Sequence, residues 1–253
     1  MVERDDSVVL VDLTFVLEAS ERSFYGAPIF LGPEGKDNTV LYGVARDLLR
    51  LRKCLGIRNA VVVIGSDANK ASSEANVRNA VRFLSRLRTA VVYEPKATAR
   101  SLCKGLASVA RWVVTQNRTF FQLVKADFGV IVPDKAGSGS EIITVESLKA
   151  SLGITPDQVP SFLALTQGGG KALFSKRQAI RLLEVHGDLA RLLQDVSVVS
   201  SNQIRRQLSA NRDVLMSRLC DVIATHRPSS NTPSPPLQAG FTRSHHVRSW
   251  KTQ

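Results

Sequence analysis

The chain has 253 residues, of which 43% are hydrophobic, and this is enough to build a core and excludes a chain that is disordered throughout. The length suits one large domain or a domain with a small appendage. Lysine and arginine (34) outnumber aspartate and glutamate (22), and the net charge of +12 favours an anionic partner such as nucleic acid, although solubility alone could explain it.

The N-terminal segment is acidic, and Asp12 interrupts the apolar run that follows it, so we expect this segment to be neither a signal peptide nor a membrane span. The three cysteines, Cys54, Cys103 and Cys220, are widely spaced among apolar neighbours, which is typical of reduced intracellular thiols. We therefore expect a cytoplasmic protein without a membrane partner, associated with the nucleoid if the source is bacterial.

Strands and helices alternate in the first part of the chain. The β-branched, apolar segment 8–16 predicts a central strand covered on both faces, and a helix capped by Asn38 or Thr39 follows it and ends at Gly56. Further strands are predicted at 60–64, 90–93, 112–115, 129–132 and 141–145, and further helices at 74–88 and 97–110. This order predicts an α/β fold with a doubly wound, mostly parallel sheet and helices on both faces.

The second part of the chain predicts helices only, at 156–165, 176–185, 189–195 and around Leu215 to Ile223. From Arg227 onwards the chain is rich in proline and serine and carries four cations and no acid, so this segment holds +4 of the net charge. We therefore expect an α/β domain at 1–145, a helical subdomain at 146–226 and a disordered basic tail at 227–253.

Three stretches together resemble the 5′→3′ exonuclease domain of bacterial DNA polymerase I and the wider flap-endonuclease, PIN-like family. They are Val9-Leu-Val-Asp12, Leu41-Tyr-Gly43 and Leu152-Gly-Ile-Thr-Pro-Asp-Gln-Val-Pro-Ser-Phe-Leu-Ala-Leu-Thr166. The resemblance implies that the sheet is followed by a small helix-hairpin-helix-type DNA-binding module. It also implies phosphodiester hydrolysis with divalent metals, which carboxylates hold at the carboxyl edge of the sheet.

Most of those carboxylates are replaced in this sequence. A site for two Mg²⁺ ions needs several acids to offset the repulsion between the ions. Of the family's acids the sequence keeps Asp12, with Asp67 as a candidate substitute, and we expect these to be vestigial metal ligands at most. The positions that match family acids but have lost them are Gly65, Thr98, Arg100, Ser101, Asn117 and Thr119.

Two basic groups are candidates for DNA contacts. Arg78, Arg82 and Arg86 lie on one face of the predicted helix 74–88, where the family threads DNA flaps, although a solvated helix face would look the same. The second group lies where the family has its hairpin glycines, which are replaced here by Leu173, Phe174 and Ser175. Its members are Lys171, Lys176, Arg177 and Arg181.

We therefore expect a catalytically degenerate family member that binds branched or single-stranded DNA without sequence preference and acts as an accessory in replication or repair, with no cofactor. One alternative is a weak 5′ nuclease that uses Mg²⁺ or Mn²⁺ at Asp12, Asp67 and Asn117. A further alternative is a protein-interaction scaffold that no longer binds DNA, which would fit the loss of the hairpin glycines.

Overall fold

A six-stranded sheet forms the centre of the first part of the protein. The computed structural model describes residues 7–24, 30–32, 35, 37–134, 139–167 and 172–224. The strands are β1 (Val8–Asp12), β2 (Asn59–Ile64), β3 (Ala90–Tyr93), β4 (Trp112–Val114), β5 (Gly129–Pro133) and β6 (Ser140–Ile143). Their order in space is β3-β2-β1-β4-β5-β6, with β6 antiparallel at the edge and all other pairs parallel. The predicted doubly wound, mostly parallel sheet is confirmed.

Helices cover both faces of this sheet. Including those of the second part of the chain, the α-helices of the described residues are α1 (Leu13–Ser23), α2 (Thr39–Leu55), α3 (Ala68–Ala71), α4 (Glu74–Arg86), α5 (Ala99–Leu106), α6 (Val145–Leu152), α7 (Val159–Thr166), α8 (Lys176–His186), α9 (Leu189–Gln194), α10 (Asn202–Ala210) and α11 (Arg212–Ala224). None of the helices in the described part of the chain is long and apolar enough to cross a membrane. The cysteines Cys54, Cys103 and Cys220 are free thiols, as expected.

The core consists of two hydrophobic clusters, one on each face of the sheet. Side chains of β1 alternate between them, because successive residues of a strand point to opposite faces. Val9 and Val11 pack in the cluster that contains residues of α1, α2 and α4. Leu10 packs in the other cluster, which contains residues of α5 and continues without a break into the helical second part, through α7, α8 and α11.

The first predicted strand is too long. The expectation was a strand over 8–16, but β1 ends at Asp12 and α1 begins at Leu13. The reason is that α1 buries Leu13, Val16 and Leu17 completely, so its first turns carry no polar face that would mark them as helical. A short apolar run of this kind does not distinguish a buried strand from a buried helix.

The junction between the sheet and the helical part is built from local capping interactions. Gly153 ends α6 in the left-handed conformation, with φ 67°, which glycine adopts without strain. Two residues later, the side chain of Gln158 accepts a hydrogen bond from the backbone N–H of Thr155. Gln158 Nε2 also donates to the carbonyl oxygens of Leu183 and Gly187, both at 3.0 Å. This glutamine therefore fixes the end of α8 against the junction.

Candidate functional site

Asp12 lies at the carboxyl edge of the sheet, where the family's first metal ligand is expected. It is the last residue of β1 and the N-cap of α1, and its Oδ1 accepts a 2.9 Å hydrogen bond from the backbone N–H of Thr14. Its Oδ2 accepts a 2.8 Å hydrogen bond from the hydroxyl of Thr115. Both carboxylate oxygens therefore have protein donors, and the side chain is only 1% exposed.

Burial determines the protonation of Asp12. The pKa of this carboxyl is raised to about 6. Desolvation is the largest cause, the nearby charge of Asp67 acts in the same direction, and the Thr115 and Thr14 donors oppose the shift. The same desolvation, with the charges of Asp12 and Asp67, raises the pKa of the buried Cys103 thiol well above its usual range. The edge of the sheet is thus a place where additional negative charge is unfavourable.

A hydrogen-bond chain continues from Asp12 along the residues that follow β4. The hydroxyl of Thr115 accepts a 3.1 Å hydrogen bond from the backbone N–H of Asn117. The side-chain oxygen of Asn117 in turn accepts from the N–H and the hydroxyl of Thr119, at 3.0 and 2.8 Å, and caps a 3₁₀ turn over Arg118–Leu123. Two positions that match family acids therefore form a local cap here.

The end of β2 is closed by the start of α5. A Cβ atom added to Gly65 would overlap the backbone of Thr98 and Ala99 and would lie 2.6 Å from Oδ1 of Asp67. The same Asp67 oxygen accepts a 2.9 Å hydrogen bond from the N–H of Ala99. The side chain that carries the family's acid at the position of Gly65 therefore has no room, and Asp67 binds the first turn of α5 from two residues further along the chain.

The remaining acid positions lie on α5. Thr98 is the N-cap of this helix, and its hydroxyl accepts a 3.2 Å hydrogen bond from the N–H of Ser101. Arg100 is 2% exposed and donates a 2.6 Å hydrogen bond from Nη2 to the carbonyl oxygen of Val222 on α11. Desolvation lowers the pKa of Arg100 to about 10, against the opposing effect of the Asp67 charge, so the guanidinium stays positive near neutral pH.

These residues do not fit a carboxylate-rich metal centre. Asp67 is close enough for its charge to raise the pKa of Asp12, but both carboxylates already accept hydrogen bonds from protein donors. No group of three or more histidine, cysteine, aspartate or glutamate residues in the described ranges is arranged to hold a metal ion. A buried arginine on α5 adds positive charge, which opposes a cation.

The first basic candidate group lies on a packed crossover helix. The helix α4 joins β2 to β3 and buries Val77, Ala80 and Leu84. The three candidate arginines, Arg78, Arg82 and Arg86, lie on its exposed face. Arg78 forms a salt bridge with Glu74, one turn earlier in the helix. Their contact with DNA stays a prediction.

The second basic candidate group surrounds the start of α8. Lys176, Arg177 and Arg181 are all exposed, while Lys171 lies in the segment 168–171, outside the described residues. Phe174 is 1% exposed, and Ser175 caps α8 by accepting a 3.3 Å hydrogen bond from the N–H of Gln178. The positions that match hairpin glycines thus hold an apolar anchor and a helix cap, with cations directly after them.

Sequence reasoning missed two partners at this edge, Thr115 and the carbonyl of Val222. Thr115 could have been found, because it directly follows β4, and β4 is a neighbour of β1 in a doubly wound sheet. The Val222 carbonyl had no signal in the sequence, since any residue of a helix end can offer a backbone oxygen.

Comparisons with known proteins agree with this fold. No family model matches the sequence. The thermostable DNA polymerase I of Thermus filiformis is 26% identical over 223 residues, an alignment that takes in 77% of this chain. The alignment covers 26% of this curated relative, so the chain spans about a quarter of its length.

Solved structures show the same likeness. The bacteriophage T5 D15 flap endonuclease, in a pseudo-enzyme–product complex with DNA and metal ions, superimposes with a TM-score of 0.56 at 10% identity, covering 86% of this chain and 92% of that one. The catalytic core of Rad2 in complex with DNA substrate gives a TM-score of 0.61 at 15% identity, covering 88% and 80%. The resemblance to the 5′→3′ exonuclease and flap-endonuclease family is thereby confirmed, and the chain has the fold of these nucleases.

Proposed function

We propose that this protein binds DNA through the flap-nuclease fold without cleaving it, as an accessory factor in replication or repair. The observation that carries this proposal is the state of the sheet edge. The positions that match the family's acids are used there for helix caps at Thr98 and Asn117, for close backbone contact at Gly65 and for a buried cation at Arg100.

The charge of the protein supports DNA as the partner. The net charge is +12, and the described residues of both basic candidate groups lie on exposed helix faces, where cations can reach backbone phosphates. The neighbouring structures of the T5 enzyme and of Rad2 were determined with DNA. Phosphate contacts carry no base information, so we expect binding that tolerates any sequence.

The cleavage test uses purified full-length protein with a labelled 5′ flap substrate in Mg²⁺ and in Mn²⁺. We expect no cleavage above the level of a matched Asp12→Ala preparation, which controls for a contaminating nuclease. Cleavage by the wild type that Asp12→Ala abolishes would overturn the proposal. It would favour the alternative of a weak 5′ nuclease that uses Asp12, Asp67 and Asn117, in which the charge of Asp67 acts on Asp12.

The binding test measures fluorescence anisotropy of flap, single-stranded and blunt duplex DNA at several salt concentrations. We expect binding that weakens steeply as salt rises, because released counterions drive the association. Absence of binding at about 50 mM salt would contradict the DNA-binding proposal and would favour the scaffold alternative, in which the changed residues at Leu173 to Ser175 no longer present a phosphate site.

A further inference from the structure

Arg100 combines deep burial with incomplete hydrogen bonding. Its side chain is 2% exposed, and one of its nitrogens, Nη2, donates to the carbonyl oxygen of Val222. The other two nitrogens, Nε and Nη1, are buried and have no hydrogen-bond partner. Burying an ionised group with unpaired N–H donors is costly, so something else in the structure has to offset the desolvation of this charge.

The charge that favours ionised Arg100 comes from Asp67 at the same edge. Asp67 binds the first turn of α5 through the N–H of Ala99, one residue before Arg100, and its negative charge is the interaction that stabilises the ionised guanidinium. Asp67 in turn acts on Asp12. The edge therefore holds two carboxylates and one buried guanidinium, which leaves one formal negative charge when both acids are ionised.

We propose that the buried positive charge of Arg100 replaces, beside Asp67, the charge that a divalent metal ion would supply. Through its hydrogen bond to the carbonyl oxygen of Val222, Arg100 also makes α11 part of the former metal site. A metal ion that entered next to Asp67 would be repelled by the positive charge of the buried guanidinium. The protein should therefore fold without responding to divalent cations. This inference does not depend on DNA binding, and its tests contain no DNA.

The first test compares the thermal midpoint of the wild type and of Arg100→Met with and without 5 mM Mn²⁺. We expect Mn²⁺ to leave the wild type unchanged within about 1 °C. Arg100→Met should melt lower, and Mn²⁺ should recover at least about 2 °C of the loss, because a bound cation stabilises the folded state by mass action. Adding Asp67→Asn should remove that recovery.

A matched control is Lys104→Met, which removes an exposed cation from the same helix one turn further on. This variant should remain unresponsive to Mn²⁺. The inference is overturned if Mn²⁺ stabilises the wild type as much as Arg100→Met, or if folded Arg100→Met gains nothing from Mn²⁺.

Arg100→Lys separates the charge from the contact, and it carries the test if Arg100→Met does not fold. Lysine keeps the positive charge but is shorter and lacks the planar fork that reaches Val222. We expect this variant to ignore Mn²⁺ and to exchange the amide hydrogens of the last turn of α11, near residues 219–224, at least about threefold faster. A Mn²⁺ response would contradict the role of the charge, and unchanged exchange would contradict the role of the contact.

Discussion

The hydroxyl of Thr115 donates a 2.8 Å hydrogen bond to Oδ2 of Asp12, although the two residues are 103 positions apart in the chain. They meet because β1 and β4 are parallel neighbours, with Val11 paired to Val114. The next residue of each chain segment, Asp12 and Thr115, therefore lies at the same edge of the sheet. Both side chains are buried. The free energy of unfolding of the protein therefore depends on whether Asp12 carries a charge.

The stability of the protein should decrease as pH rises through the pKa of Asp12. That pKa is about 6 in the folded protein, against an ordinary value of 3.8, so the folded state holds the proton more tightly than the unfolded state. The contribution of this group is fully present below about pH 3.8 and is lost as pH rises through about 6. In Asp12→Asn, which keeps the shape, this loss is absent. The free energy of unfolding of the variant, relative to that of the wild type, should therefore rise by up to about 3 kcal/mol between pH 4 and pH 8, as measured by urea unfolding.

A difference between Asp12→Asn and the wild type that stays constant from pH 4 to pH 8 would contradict the assignment of a raised pKa to Asp12.

Thr115→Val should destabilise the protein by about 1–3 kcal/mol, because it leaves a buried carboxylate oxygen of Asp12 without its donor. The loss should be larger at pH 8 than at pH 5, since the hydroxyl favours the ionised form of Asp12. Urea unfolding at the two pH values measures both effects. Thr115→Ser retains the hydroxyl and should behave much more like the wild type; equal losses in both variants would show that the hydrogen bond is not the cause.

Gly65→Ala should destabilise the protein by at least about 2 kcal/mol, because the added Cβ would overlap the backbone at the start of α5. The matched control is Gly105→Ala, where nothing lies within 4 Å of the added atom, and its stability should be unchanged or slightly higher. Thermal and urea unfolding compare the two. If Gly65→Ala is as stable as Gly105→Ala, α5 can move away, and the loss of the acid at this position has no steric reason.

Replacing Arg78, Arg82 and Arg86 together with alanine should weaken DNA binding and reduce the slope of log affinity against log salt by about two to three units if all three arginines meet phosphates. The fold should persist, since these side chains are exposed. Anisotropy titrations at four salt concentrations measure the slope. A matched triple replacement of Lys176, Arg177 and Arg181 serves as the comparison, and an unchanged slope in the α4 variant would place the binding face on α8 or on the tail.

Ending the chain at residue 226 should leave the thermal midpoint nearly unchanged and weaken DNA binding modestly. The removed residues contain four cations and no acid, so they can release counterions from DNA without reading bases. Differential scanning fluorimetry and anisotropy on the same preparation test both statements. Unfolding of the shortened protein would show that Phe241 or Trp250 contributes to the core. Complete loss of DNA binding would show that residues 1–226 do not bind DNA by themselves.

Elements with local signals were predictable from the sequence. The apolar β-branched segments gave the strands β2 to β5 with errors of one residue at their ends, and Gly56 correctly marked the end of α2. The stretch from Leu152 to Thr166 was recognised by its resemblance to the family, and the structure shows that it contains a left-handed Gly153 and a cap at Thr155. Short-range capping and periodicity need no knowledge of the rest of the chain.

The properties of the candidate site were decided by tertiary structure. The sequence by itself established that carboxylates are missing and that an arginine stands among their positions, but not that Arg100 is buried against a carbonyl 122 positions away. It identified Asp12, but the raised pKa of this residue results from burial and from the nearby charge of Asp67, against the opposing hydrogen bond from the hydroxyl of Thr115. Desolvation and hydrogen bonding depend on which atoms surround a group in space, and only the packed chain brings those atoms together.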